Sequence, residues 1–68
     1  MFIEVTGNMV QGNELKEGRF LINPEYIAVL GANGSKASFH MSSGLTIFSD
    51  SNLTDVVKEI EKAKLYGD

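Results

Sequence analysis

The chain has 68 residues, nine of them acidic and six basic, for a net charge of −3. That length holds one domain, 1–68, and folding buries only about 60% of the surface that a chain of this size exposes when unfolded. Small domains with so little core are usually reinforced by disulfides, a metal or a partner subunit. The chain has no cysteine and one histidine, His40, so disulfides and thiolate or His-rich metal sites are excluded. Oligomerisation is the device that remains. The acidic balance forgoes the counterion release that drives nucleic-acid affinity and does not suit an anionic membrane surface.

The first element in chain order is a half-buried strand over 1–6, with Met1, Ile3 and Val5 on one face and Phe2, Glu4 and Thr6 on the other. Gly7-Asn8 reads as a turn. The segment 7–18, GNMVQGNELKEG, is rich in glycine, asparagine and charge, and is expected to be a mobile connection between strands. A meander follows over 19–49. Its first strand, Arg19–Asn23, places Phe20 and Ile22 on one face and Leu21 on the other. Pro24 lacks the N–H that a ladder needs, so Asn23-Pro24-Glu25 makes a tight turn. Tyr26–Leu30 is apolar throughout, which implies cover on both faces. Gly31–Gly34 then forms a four-residue turn with Asn33-Gly34 tolerant of positive φ. Lys36–Ser42 alternates, with Ala37, Phe39 and Met41 on one face. Ser43-Gly44 closes the next hairpin, and Leu45–Ser49 is the last strand.

At this point the period changes from 2 to 3.6. Leu53, Val56, Val57, Ile60 and Lys64 form a helical stripe with Ala63 at its edge. Asp50, Ser51 and Asn52 all suit an N-cap. With Asn52 as the cap, Asp55 falls in the first turn, where the helix dipole favours a carboxylate. Gly67 is a suitable stop, and the helix is expected over about 53–65.

These elements predict an α+β fold: a single antiparallel five-strand meander with one C-terminal helix packed on one face. The helix belongs on the face bearing Ile3, Val5, Phe20, Ile22, Ile27, Val29, Ala37, Phe39, Met41, Leu45 and Ile47. The back face still presents Phe2, Leu21, Tyr26, Leu30 and Phe48, and a single helix does not cover two faces. Either the sheet curls into a small barrel or a second chain covers the back. These five residues are the candidate interface. The expected partner is another copy of the chain, in a dimer or higher homo-oligomer.

No constellation for catalysis stands out, and no catalytic, metal or cofactor-binding residue is assigned. His40 is the one imidazole and so the one candidate base of that kind, but Ser38, on the same strand face, lies about 6–7 Å away at Cα. That reads as a half-exposed strand histidine. Glu59 and Glu61 are two apart on a helix and diverge. Gly31–Gly34 has no helix N-terminus behind it to hold a phosphate. Lys58, Lys62 and Lys64 are interleaved with Glu59 and Glu61, as on a solvated helix face and not a nucleic-acid stripe. No apolar run reaches the ~20 residues of a membrane-spanning helix, and the N-terminus lacks the marks of a signal peptide. A cytoplasmic location is expected.

Four stretches, FIEVT, FLINPEYIAVL, SFHMSSGLTIFSDS and DVVKEIEK, resemble the small bacterial FlbD/SwrD-type proteins of flagellar operons. The match runs through Ile3, Val5 and Thr6, then Leu21, Ile22, Asn23, Pro24 and Ile27. It continues through Ser43, Gly44, Leu45, Asp50 and Ser51 to Asp55, Val56, Val57 and Ile60. The departure is the longer segment Asn8–Gly18, where those proteins have a short turn. Similar short strand-rich chains occur as open reading frames in phage and mobile elements. The resemblance implies a non-catalytic accessory protein. A shorter stretch, from INPEYIAVLGANG through SFHMSSGLTIF to NLTDVVKEI, resembles the LytTR type of DNA-binding domain and implies a nucleic-acid-binding regulator; the acidic charge opposes it.

Overall fold

The computed structural model describes residues 2–66, with side chains to Ala63. It is an antiparallel sheet of five strands with one C-terminal helix packed against it. The strands are β1 (Ile3–Gln11), β2 (Glu14–Ile22), β3 (Ile27–Asn33), β4 (Lys36–Met41) and β5 (Thr46–Asn52), and the helix is α1 (Leu53–Tyr66). The order across the sheet is β2-β1-β5-β4-β3. Every ladder joins sequence neighbours except that between β1 and β5, so the first strand lies inside the sheet and β2 and β3 are its edges.

The segment 7–18 corrects the expected mobile connection. It forms most of a β-hairpin, with β1 and β2 paired without a break from Ile3↔Ile22 to Gln11↔Glu14. The turn is Gly12-Asn13, not Gly7-Asn8. Gly12 has φ +61, and no residue other than glycine has positive φ among those described, which is the type II′ hairpin pattern. This register puts Ile3 opposite Ile22 and Val5 opposite Phe20. A turn at Gly7-Asn8 would set Ile3 against Gly12 and forfeit that pairing of apolar side chains. Gly7 serves another purpose. A Cβ there would strike the Phe48 carbonyl oxygen and come within 2.9 Å of Ser49 Cα, so its bare backbone lets β5 close onto β1.

The remaining turns are tight as well. β3 continues through Gly31 to Asn33, and the loop is Gly34-Ser35, with Gly34 at φ +69. Between β4 and β5, the Gly44 N–H donates to Met41 O and the Met41 N–H donates to Leu45 O, with Gly44 at φ +96. That is a three-residue loop ending in a left-handed glycine. Between β2 and β3, Pro24–Tyr26 forms one 3₁₀ turn. Asn23 Oδ1 accepts from the Glu25 N–H and Asn23 O accepts from the Tyr26 N–H, so the proline sits where no donor is needed.

That short link constrains the sheet. The outer strands of a flat five-stranded sheet lie about 19 Å apart, four spacings of about 4.8 Å. Even fully extended, the chain from Ile22 to Ile27 reaches only about 18 Å, and it contains a 3₁₀ turn, which rises only about 2 Å per residue. The sheet is therefore strongly curled. Irregularities supply the bend, one between Ile27 and Val29 and one between Lys36 and Ser38. Among the described residues no ladder joins β2 to β3, so the curl stops short of a closed barrel.

The irregularity in β3 corrects the expected faces of that strand. Ile27 lies opposite Met41, but Val29 lies opposite His40 and Leu30 opposite Phe39. One extra residue on β3 inverts the alternation. Leu30 turns inward against the core and Val29 turns out to solvent, 57% exposed, the reverse of the simple period-2 reading.

The core is Ile3, Val5, Ile22, Ala37, Phe39, Ile47 and Val56, with Phe39 and Ile47 fully enclosed. From α1, Val56 enters this core, and Leu53, Ile60 and Ala63 pack on it. Val57 stands at the edge of the stripe and remains exposed. The Leu53 N–H donates to Ser35 O, which ties the start of the helix to the β3–β4 turn. Met1, the Lys64 side chain and Gly67 lie outside the described residues.

Candidate functional site

Three of the five candidate interface residues come together. Phe2, Leu21 and Tyr26, each at least 60% exposed, line one shallow cleft with Met41 and Leu45, floored by Ile22 and edged by Asn23, Ser42 and Ser43. The cleft lies where the sheet fails to close, between the end of β2, the 3₁₀ turn and the β4–β5 loop. Pro24 positions Tyr26 there, since the turn it starts ends on Tyr26 and the Tyr26 carbonyl accepts from the Ser42 N–H. Aromatic and leucine side chains exposed side by side around a concavity are costly to leave in water, at roughly 25 cal/mol per Å² of apolar surface.

The other two residues lie elsewhere. Phe48 is on the outer face of the sheet, between Asn8 of β1 and Ser38 of β4, and is only just exposed. Leu30 is half-buried against the core, because the β3 bulge turns it inward. Three exposed apolar residues among those described were missed by the sequence reading: Leu15, 67% exposed on β2, Val29, and Val57 at the margin of the helical stripe. Leu15 lies in the segment expected to be a loop. The signal that finds it is the Gly12-Asn13 pair, which puts Leu15 opposite Val10 in a hairpin.

The polar groups form no comparable arrangement. His40 is an exposed strand residue whose Nδ1 lies 3.4 Å from Thr46 Oγ1 on the adjoining strand. Ser38 and Ser49 are buried, and the Ser49 hydroxyl accepts from the Ser51 N–H. No buried polar side-chain atom among the described residues lacks a partner. A second, more polar hollow between β1 and α1 is lined by Glu4, Asp55 and Glu59 beside Ile3, Val5 and Val56. Glu4 reaches Arg19 at 3.6 Å across the hairpin. Among the described residues no three His, Cys, Asp or Glu side chains are grouped to hold a metal ion, and no helix is long and apolar enough to cross a membrane.

No family model matches the chain, and no curated protein or solved structure matches it.

Proposed function

We propose that this chain is a small non-catalytic binding or assembly module that works as a homo-oligomer in the cytoplasm. The observation that supports this reading is the gathering of Phe2, Leu21 and Tyr26 around one cleft at the unclosed side of the sheet. The protein places large apolar side chains on that surface although its enclosed core has only seven apolar residues among those described. A domain this small gains stability by covering such a surface with a second chain. The FlbD/SwrD-type resemblance fits an accessory protein of this kind, and the partner the reading commits to is another copy of the chain.

The test is a Phe2→Ser/Leu21→Ser double variant, compared with the wild type by light scattering and by circular dichroism. Neither residue belongs to the buried core. The expected outcome is weaker assembly with an unchanged spectrum. Assembly as strong as that of the wild type would reject this surface as the place where copies meet.

A further inference from the structure

Resting on the homo-oligomer reading, we propose that β2 pairs antiparallel with β2 of a second copy across a two-fold axis at Gly18. Strand β2 is an edge of the sheet and its nine residues pair with β1 without an irregularity. Edge strands offer a free row of N–H and C=O groups to another chain. The other edge, β3, is blunted by its bulge.

The two-residue turn at Gly12-Asn13 determines which groups are free. Gln11 and Glu14 flank it as a hydrogen-bonded pair, so Glu14, Lys16, Gly18, Phe20 and Ile22 direct their backbone groups to β1. Leu15, Glu17, Arg19 and Leu21 direct theirs to the open edge. All four side chains lie on the outer face of the sheet and all are exposed.

Those four residues form a self-complementary row. About Gly18 the order is leucine, glutamate, axis, arginine, leucine. Antiparallel pairing at this register sets each Glu17 opposite the second copy's Arg19 and each Leu15 opposite the second copy's Leu21. It also joins residues whose backbone groups both face the edge, as a ladder requires. Registers with the axis elsewhere between Lys16 and Phe20 fail on charge or pairing. An axis at Glu17 opposes two carboxylates and one at Arg19 opposes two guanidinium groups. An axis at Lys16 sets Leu15 against Glu17, and one at Phe20 sets Arg19 against Leu21. Axes between residues pair a free backbone group with one already used. Opposite charges face to face stabilise a sheet and like charges destabilise it.

The same register joins the two exposed apolar regions of the strand. Leu15 and Leu21 are six residues apart, about 20 Å along β2. The axis brings Leu15 of each copy against Leu21 of the other, at the rim of the Phe2–Tyr26 cleft.

Charge reversal tests this pairing. Glu17→Arg and Arg19→Glu each turn both facing pairs of the dimer into like charges, and each is expected to weaken self-association by roughly tenfold or more. E17R leaves the Arg19–Glu4 contact intact, so its effect does not come from that bridge. An equimolar mixture of E17R and R19E restores opposite charges at both pairs, as does the E17R/R19E double variant within one chain. Both are expected to recover association close to that of the wild type. Sedimentation equilibrium reads all of these. A wild type that associates while E17R and R19E associate equally well would overturn the β2 pairing and leave the homo-oligomer reading standing. A wild type that is monomeric throughout would overturn both.

Discussion

Gly7 and Gly18 face each other across the β1–β2 ladder, and replacing each by alanine should have opposite consequences. At Gly7 an added Cβ runs into the Phe48 carbonyl and lies 2.9 Å from Phe48 C and Ser49 Cα. These are backbone atoms of the neighbouring strand, so no side chain can swing aside. Relief requires β5 to retreat, and the β1–β5 ladder covers only Gly7↔Ser49 to Val10↔Thr46. Overpacking of this sort costs about 1–3 kcal/mol, and each backbone hydrogen bond lost at that short ladder adds about 1 kcal/mol. Gly7→Ala should therefore destabilise by about 2–4 kcal/mol, a large part of the roughly 3–10 kcal/mol expected of a 68-residue domain. At Gly18 an added Cβ meets only the end of the Phe20 ring, at 3.8 Å. Gly18→Ala should be neutral or stabilise by up to about 1 kcal/mol by reducing the freedom of the unfolded chain. Urea denaturation of both variants, at one protein concentration, gives the comparison. Equal stabilities for the two variants, or a Gly7→Ala protein within about 0.5 kcal/mol of the wild type, would refute the close approach of β5 to β1.

The bulge in β3 gives a second contrast: Leu30→Ala should cost about 1.5–2.5 kcal/mol in urea denaturation and Val29→Ala no more than about 0.5 kcal/mol, whereas unbroken alternation would invert that order. Along α1, Val56→Ala should lower the thermal midpoint clearly and Val57→Ala only slightly, because Val56 is in the core and Val57 at its margin.

Fold class and the helix were legible in the sequence because each rests on a local period. Alternation marks the strands, and the stripe through Leu53, Val56, Ile60 and Ala63 marks the helix. Two failures have physical causes. Two Gly-Asn pairs compete to be the first turn, and local chemistry favours neither. The decision comes from register, since only Gly12-Asn13 lets Ile3 meet Ile22 and Val5 meet Phe20. The faces of β3 depend on a single extra residue, which leaves no mark on the composition of YIAVL. The candidate surface was legible in part. Phe2, Leu21 and Tyr26 were found as apolar residues left over from the inward face. Leu30 was misplaced by the bulge, and Leu15 was hidden in a segment whose glycines and charges resemble a loop. Those charges belong to an edge strand, where Glu17 and Arg19 limit which partner can add to it.

The central claim is that copies of this chain meet on surface outside the core. Sedimentation equilibrium of the wild type at rising concentration, from about 1 to about 300 μM, a range corresponding to about −8 to −5 kcal/mol of association, tests it most directly. The expected result is a mass rising from the 7.4 kDa of one chain toward that of a dimer. A mass that stays at one chain over the whole range, with the protein folded, would contradict it.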